Sequence, residues 1–424
     1  MALTLLEWLA RIERAHPSAI AMGLERVARV RDAMGATFSG PVVIVGGTNG
    51  KGSTCAMLEA ILRAAGYRVG LYTSPHLLRY NERVRIDGEE ASDEALVQGF
   101  ERAEAARGET PLTYFEYGTL AAWQLFAEAG LDVLILEVGL GGRLDAVNAF
   151  EPDCSVVTSI GIDHVDYLGP TRESIGFEKA GIFRAGRPAI CGDPNPPATL
   201  VEHARAIGAE LKVIGRDFGF EGVFEGNQRQ WNYRGRQGAR LALAPPALRG
   251  DLQLVNASTA LAALDALASR LPVSMQAVRE GLARVELPGR FQVMPGRPVV
   301  VLDVAHNPQA AKVLAGNLGD MGFHPDTYAV LGMLKDKDIE GVVRELAGRV
   351  THWLVATLTG ARAARADELA QAIARAGAPG EVMAFDSPRF AYEEALRRAG
   401  ENDRIVVFGS FVTVAEVMAI RAGA

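Results

Sequence analysis

The sequence predicts an α/β protein in which a doubly wound parallel sheet, with a small antiparallel region, is followed by a second, smaller α/β domain. Three observations support this fold class. Short β-branched runs alternate with longer stretches of helical periodicity in both halves of the chain. A glycine-rich turn joins the first strand to the helix pattern that follows it. The breaker Pro288-Gly289 then separates the two series.

The first series contains four predicted strands, whose nearly continuous apolar runs are typical of parallel strands buried on both faces. They cover residues 41–46, 68–73, 131–137 and 154–160. Stretches long enough for helices cover residues 53–65, 92–107, 114–129 and 173–185. Because parallel neighbours need crossover connections, this alternation predicts βαβ units and a doubly wound sheet.

Residues 218–246 break the rhythm with glycines, Trp231, Tyr233 and a double proline, which predicts short antiparallel strands. A helix is predicted next, at 254–270. The breaker predicts a first domain at 1–286, a linker at 287–297 and a second domain at 298–424. The strands predicted in the second domain are 299–303, 328–332, 352–356, 381–385 and 404–408.

Composition narrows the functional classes. A chain of 424 residues exceeds one ordinary core, and its net charge of −7 offers no general footprint for nucleic acid or an anionic membrane. No run reaches about 18 apolar residues, and the N-terminus has no signal-peptide pattern. The three cysteines lack metal or disulfide spacing, which indicates a reducing compartment. We therefore expect a soluble, cytoplasmic protein, and a monomer because no coiled-coil repeat is visible.

The turn Gly47-Thr48-Asn49-Gly50-Lys51-Gly52-Ser53 lies between a strand and a helix, as a phosphate loop does. Glycines let successive N–H groups face one point, the helix N-terminus adds positive potential, and Lys51 adds a full charge. The segment departs from the common P-loop pattern, because Val45 replaces its first glycine and Gly52 follows the lysine. A plain glycine-rich βα turn is the alternative. The sequence thus predicts a P-loop-type sheet that binds a nucleoside triphosphate.

Three further polar residues follow predicted strands, where open α/β sheets bind ligands. Glu137 suits Mg²⁺, but it could instead cap a helix or pair with Arg143. Ser74 could be turn chemistry, and His164 a hydrogen-bonded loop histidine, because hard cations prefer oxygen. The nearby run Gly139-Leu140-Gly141-Gly142 suggests a dinucleotide site, but Leu144 occupies the place of its third glycine, which disfavours a dehydrogenase.

Several ordered segments, covering nearly the whole chain, resemble the bifunctional dihydrofolate synthase and folylpolyglutamate synthase family, which is related to the Mur ligases. The segments are Gly47 to Ser53, Tyr72-Thr73-Ser74-Pro75-His76-Leu77, Leu136 to Ala146, Asp163-His164, Phe177 to Ile182, Leu287-Pro288-Gly289-Arg290-Phe291 and Asp303 to Pro308. The resemblance implies an enzyme that uses ATP to add L-glutamate to dihydropteroate and to reduced folates. It implies an acyl-phosphate intermediate and Mg²⁺, with two ions expected.

The resemblance also assigns residues. It implies metal binding by Ser74, Glu137, His164 and Lys179, the last as a carbamate, although spacing alone would make Lys179 a surface residue of helix 173–185. Lys51, Lys179 and His164 become the expected catalytic residues. Nucleotide contacts outside the loop fall on Asn256, Arg290 and Asp303.

For the two remaining substrates, the resemblance implies pterin binding by two segments and glutamate binding by the second domain. The implied residues are Thr113, Tyr114, Phe115, Glu116, Leu144, Asp145 and Ala146 for the pterin, and His306 and Ser410 for glutamate. Aromatic faces suit a flat ring, and a carboxylate suits its amino-pyrimidine donors. His306 could instead be a packed loop histidine, and Ser410 a helix cap. The alternative functions are a monofunctional folylpolyglutamate synthase, another Mur-type ligase and a P-loop nucleotide switch.

Overall fold

The computed structural model describes residues 3–16, 18, 20–225, 228–250 and 252–422. The chain forms two compact units. The first contains Met1–His76, Tyr80–Ala247 and Gln253–Val285, and the second contains Leu77–Arg79, Leu248–Leu252 and Glu286–Ala424. Two short pieces of the predicted first domain, residues 77–79 and 248–252, and its last residue, Glu286, thus belong to the second unit.

The first unit is built on an eight-stranded sheet. Its strands are β1 (Val42–Gly46), β2 (Val69–Tyr72), β3 (Val84–Ile86), β4 (Glu89–Glu90), β5 (Val133–Glu137), β6 (Cys154–Val157), β7 (Pro188–Cys191) and β8 (Glu210–Val213). Their order is β4-β3-β2-β5-β1-β6-β7-β8, and only β3 and β4 run antiparallel to their neighbours. Every residue of β1 and β5 is buried, which explains their continuous apolar runs.

Among the described residues, ten α-helices precede β12 (Gln292–Met294), the first strand of the second unit. They are α1 (Leu5–Glu13), α2 (Glu25–Met34), α3 (Lys51–Ala64), α4 (Asp93–Arg107), α5 (Tyr114–Glu128), α6 (Val165–Leu168), α7 (Arg172–Ala180), α8 (Ala198–Ile207), α9 (Leu252–Ala266) and α10 (Met275–Arg284). Two 3₁₀-helices cover Tyr80–Arg83 and Ala146–Ala149. α3 and α10 pack so closely that a Cβ atom on Gly281 would lie 2.5 Å from the Cα atom of Ile61. Only glycine permits this approach.

The predicted antiparallel region is a separate three-stranded sheet, made of β9 (Gly219–Glu225), β10 (Gln228–Gly235) and β11 (Gly238–Leu243). Trp231 and Tyr233 of β10 are fully buried, and the Tyr233 hydroxyl donates to Asp265 of α9 at 2.9 Å. The prediction of antiparallel strands is therefore confirmed.

The second unit contains a six-stranded sheet of order β12-β13-β17-β14-β15-β16, in which only β12 is antiparallel. Its strands are β12 (Gln292–Met294), β13 (Val299–Leu302), β14 (Thr327–Leu331), β15 (His352–Ala356), β16 (Glu381–Phe385) and β17 (Arg404–Phe408). Its helices are α11 (Pro308–Asp320), α12 (Ile339–Leu346), α13 (Ala366–Ala376), α14 (Pro388–Arg398) and α15 (Phe411–Ala422). Alternate residues of the central strands enter two different apolar clusters, so the sheet is covered on both faces.

The α/β fold class is confirmed, but several boundaries differ from those predicted. Residues 292–294 of the predicted linker form the edge strand β12, which pairs with β13. This strand was not predicted, because it follows the turn at Pro288-Gly289 and three residues are too few to show a strand pattern. α7 ends at Ala180, five residues before the predicted end, where Gly181 follows. β3, β4, β7 and β8 were not predicted. Within the described residues, no helix combines the length and apolarity that crossing a bilayer requires.

Candidate active site

The turn from β1 to α3 has the geometry of a phosphate-binding loop. Gly47 has φ 144°, and a Cβ atom there would lie 2.0 Å from Thr158 Oγ1. Gly50 has φ 88°, and a Cβ atom there would lie 2.5 Å from Asn256 Oδ1. α3 begins at Lys51, so its first N–H groups have no partner within the helix. These donors and the helix dipole make the turn suited to an anion.

A second segment, after β6, holds this turn in place. The Thr48 N–H donates to Ser159 O at 2.8 Å, and the Asn49 N–H donates to Ser159 Oγ at 3.0 Å. The Thr48 hydroxyl exchanges hydrogen bonds with the backbone of Gly161. Sequence reasoning missed these supporting residues. The usable signal was that β6 ends beside β1, where Gly46 pairs with Val157.

The Lys51 ammonium donates to two carbonyl oxygens of its own turn, Gly47 O at 3.2 Å and Thr48 O at 3.4 Å. The side chain is thus held over the turn. Asn256 of α9 lies against Gly50 and is 7% exposed. The structure therefore brings the predicted nucleotide residue Asn256 to the loop, although the two are about 200 positions apart in sequence.

Two of the predicted metal ligands lie together at the carboxyl edge of the sheet. Glu137 ends β5 and Ser74 follows the neighbouring strand β2, and Glu137 Oε2 accepts a hydrogen bond from the Ser74 N–H at 3.2 Å. Glu137 is 4% exposed. Arg143, its alternative partner, pairs instead with Glu178 at 2.8 Å. A buried carboxylate beside a serine fits a hard cation such as Mg²⁺.

His164 is the N-cap residue of the short helix α6 with φ 52°, and its backbone N–H donates to Asp163 Oδ1 at 2.8 Å. It follows β6, on the other side of β1 from Glu137. Among the described residues, no three His, Cys, Asp or Glu side chains group as a metal site.

Lys179 is buried, not on the surface as its spacing suggested, and is only 3% exposed. Burial and the nearby charge of Lys51 together lower the pKa of Lys179 to about 7, although Asp163 and Asp145 oppose the change. The environment of this amine therefore favours its neutral form. A neutral amine is a nucleophile and can react with carbon dioxide.

The first predicted pterin segment begins α5. Thr113 caps the helix, and its hydroxyl and the Glu116 carboxylate form a capping box. Glu116 is also paired with Arg26 at 2.7 Å and is 3% exposed. Its carboxylate thus supports the segment, and direct contact of Glu116 with the ring donors stays a prediction. Phe115 packs against Gly139, where a Cβ atom would lie 2.7 Å from the Phe115 ring.

The second pterin segment is organised by Asp145, which is 4% exposed and caps the 3₁₀-helix beginning at Ala146. Its carboxylate accepts hydrogen bonds from the N–H groups of Leu140 at 2.8 Å and Val147 at 3.1 Å. Burial outweighs these bonds and raises the pKa of Asp145 to about 7. The carbonyl of Leu144 accepts a bond from the Gly23 N–H at 3.2 Å.

The remaining predicted residues lie in the second unit. Asp303 follows β13 and accepts bonds from the N–H groups of Phe291 at 2.8 Å and Ala305 at 2.7 Å, and burial raises the pKa of Asp303. The Arg290 guanidinium lies 5.0 Å from the centre of the Phe411 ring. The bonds of Asp303 order the start of the turn between β13 and α11 and tie it to Phe291.

The two predicted glutamate residues are also engaged within this unit. His306 Nδ1 lies 2.8 Å from Val304 O, so Nδ1 carries the proton. Ser410 precedes α15, is 5% exposed, and its Oγ accepts a bond from the Thr413 N–H at 3.0 Å. The alternative interpretation of Ser410 as a helix cap therefore describes this geometry.

Comparison with known proteins decides the family. The model for the Mur ligase middle domain matches residues 45–263, and that for the Mur ligase glutamate ligase domain matches residues 289–411. The chain is 46% identical to the dihydrofolate synthase/folylpolyglutamate synthase of Escherichia coli, over 98% of this chain and 95% of that protein. The chain belongs to the dihydrofolate synthase/folylpolyglutamate synthase family. The family's enzyme from Haemophilus influenzae is 42% identical over 98% of this chain and 97% of its own.

Solved structures of the family agree with this assignment. E. coli FolC in complex with DHPP and ADP superposes with a TM-score of 0.94 at 46% identity, covering 100% of this chain and 98% of that chain. A family member with Mn, AMPPNP and L-glutamate bound gives a TM-score of 0.90 at 45% identity, covering 99% and 98%. The α/β architecture predicted from the sequence is therefore the architecture of this family.

Proposed function

We propose that the protein is an ATP-dependent ligase that adds L-glutamate to dihydropteroate, making dihydrofolate, and to reduced folates, making polyglutamates. The observation that carries this proposal is the 46% identity to the E. coli dihydrofolate synthase/folylpolyglutamate synthase along nearly the whole of both chains. The turn at Gly47–Ser53 supports it independently, because an amide bond between two free substrates needs an activating nucleotide.

The chemistry has two stages. The carboxylate of the pterin substrate attacks the γ-phosphate of ATP, which gives an acyl phosphate and ADP. The glutamate α-amine then attacks the acyl carbon and releases phosphate. Lys51 and the α3 N-terminus stabilise the phosphate charge, and phosphoryl transfer needs little more from a protein than positioning and charge. Asn256, Arg290 and Asp303 are proposed to hold the remainder of the nucleotide.

Magnesium is the proposed cofactor, with Ser74, Glu137 and His164 as ligands. When bound there, Mg²⁺ would supply positive charge to the phosphates of ATP. We propose that Lys179 is carbamylated: its neutral Nζ attacks carbon dioxide, a C–N bond forms, and the displaced proton goes to water. The product is a carboxylate in place of a cation, which offers oxygen ligands to a second ion. The burial and the lowered pKa of Lys179 support this step.

The substrate residues are proposals of the same kind. Residues 113–116 and 144–146 would bind the pterin, and His306 and Ser410 would bind glutamate. The aromatic side chains of Tyr114 and Phe115 support the first assignment, because a flat ring can pack against their faces. We place the enzyme in the cytoplasm, which its three free, buried cysteines support.

Product analysis tests the function. The protein is incubated with MgATP and L-glutamate, with dihydropteroate in one arm and a reduced folate in the other, and products are separated by mass. Both activities predict a glutamyl amide in each arm, with one ADP per bond. Product from the folate arm alone would indicate a monofunctional folylpolyglutamate synthase. ADP release without either acceptor would instead indicate a nucleotide switch, and no amide in either arm would refute the proposal.

A further inference from the structure

Arg83 is a buried cation that the chain leaves without a counter-charge. It ends the 3₁₀-helix Tyr80–Arg83, and the residue is 9% exposed. Across the ranges that the structure describes, no carboxylate comes within ion-pair distance of its guanidinium. Buried charges in proteins are normally paired, because removing a charge from water is costly. An unpaired buried arginine therefore indicates that an anion from outside the chain completes the site.

The guanidinium is held in one orientation. Its Nε–H donates to His76 Nδ1 at 2.8 Å, so the proton of this histidine is on Nε2. The guanidinium carbon lies 5.1 Å from the centre of the Tyr80 ring and 5.5 Å from the centre of the Tyr114 ring. One acceptor and two aromatic faces thus fix the group without neutralising it.

The two terminal nitrogens of Arg83 are the part that a ligand can reach. Within the described residues, neither nitrogen has a hydrogen-bond partner. Polar atoms that lack a partner and are fully enclosed by protein occur elsewhere in the chain, but these two nitrogens are not among them. Both are therefore accessible at the surface of the cluster. Two parallel N–H groups on one side of a guanidinium match the two oxygens of a carboxylate.

The position of this cluster relates it to the proposed site. Tyr114, on which Arg83 lies, belongs to the proposed pterin segment. His76 is two residues beyond Ser74, the proposed metal ligand. Tyr72 of β2 contacts Phe115, with ring centres 5.9 Å apart. The guanidinium thus contacts the proposed ring-binding segment through Tyr114 and contacts His76, which is close in sequence to the proposed metal ligand Ser74. A substrate with a flat ring and a carboxylate presents its charge between two such features.

We propose that Arg83 binds the carboxylate of the pterin substrate, and that His76 is a positioning residue that turns the guanidinium toward it. This inference rests on the proposed function and names the charge-recognising residue of its acceptor site. Arg83 supplies affinity for the acid form of the substrate, whereas the aromatic residues supply affinity for the ring.

Binding without ATP tests this inference, because it separates recognition from chemistry. The probes are dihydropteroate and its neutral carboxamide, in which NH₂ replaces the carboxylate O⁻. For Arg83→Gln we expect dihydropteroate to bind about 30- to 100-fold more weakly, with carboxamide binding nearly unchanged, as for loss of a charge-assisted hydrogen-bond pair. Arg63→Gln is the matched control, since Arg63 is 41% exposed and pairs with Asp87, and it should leave both affinities unchanged.

If Arg83→Gln weakened the binding of dihydropteroate and of the carboxamide equally, Arg83 would only support the aromatic cluster and the inference would be wrong. Unchanged binding of both probes would also overturn it. If the wild-type protein bound neither probe, the proposed function itself would be wrong. Binding of MgADP reports whether each variant is folded. Should Arg83→Gln fail that check, the His76 pair decides: His76→Asn keeps an acceptor near Nδ1 and should retain discrimination between the probes, whereas His76→Leu should lose most of it.

Discussion

Replacing Gly47 by alanine tests whether the phosphate loop depends on a close approach between two strand ends. A Cβ atom there would lie 2.0 Å from Thr158 Oγ1, and 3.1 and 3.2 Å from the backbone nitrogens of Thr158 and Ser159. The Thr158 side chain must rotate, which breaks its 2.7 Å hydrogen bond to Asn49 O and costs about 1 kcal/mol. The positive φ of 144° adds about 1–3 kcal/mol for a residue with a Cβ atom.

The sum predicts that Gly47→Ala lowers the unfolding free energy by about 2–4 kcal/mol. Urea unfolding followed by circular dichroism measures it, with Gly208→Ala as the matched control. Gly208 also has a positive φ, of 72°, but its Cβ atom would meet nothing within 4 Å, so this variant carries the backbone cost alone. Thr158→Ala should recover part of the loss in the double variant. Equal effects of Gly47→Ala and Gly208→Ala, with no recovery, would refute the reasoning.

Three further predictions concern charged groups of the site. Lys51→Met should lower kcat at least about 100-fold but change the affinity for dihydropteroate by no more than about two-fold, because Lys51 acts on developing phosphate charge. Steady-state kinetics measures kcat and titration measures the affinity. Equal losses in kcat and in affinity would contradict this role. Lys179→Arg should abolish the carbamate, seen as a loss of 44 Da by intact mass under mild conditions, and should lower turnover; full turnover would exclude a carbamate role. Asp145 has a raised pKa of about 7, so the folded state binds a proton that the unfolded state releases near pH 4. The stability that this group contributes is thus present at low pH and is lost as pH rises toward 7. Asp145→Asn should remove this loss, which is measured as the fall in the denaturation midpoint between pH 5 and 7.5. If the variant shows the same fall as the wild type, Asp145 is ionised throughout this range.

The core strands β1, β2, β5 and β6 were predictable because they are fully buried and their apolar runs show it. The edge strands β4 and β8, and the strand β3 beside β4, lacked this signal, since they are short and carry charged residues such as Glu89 and Glu90. In the sheet of the second unit, the predicted ends of β13 to β17 lie within one residue of the observed ends, whereas β12 was not predicted. A strand of three residues leaves no periodicity to detect.

The positions of the candidate site residues were predictable where they depend on local spacing. The turn containing Lys51 was found from its own residues, and Ser74 and Glu137 follow from the rule about strand ends. Lys179 was not predictable from physics, because α7 is short and its burial arises from tertiary packing. The supporting contacts of Ser159 and the pairing of Arg26 with Glu116 join distant segments, which single-sequence patterns do not report.

The contact of α3 with α10 has a consequence for nucleotide affinity. At Gly281 the backbone of α10 meets the backbone of α3, the helix whose first N–H groups are proposed to bind phosphate, so no side chain lies between the two helices at this point. A shift of α3 toward α10 here would bring backbone atoms into collision. An anion arriving at its N-terminus meets donors already fixed in place and loses little affinity to their ordering. The packing of a glycine far from the turn in sequence thus limits how much the donors at Lys51 can be displaced.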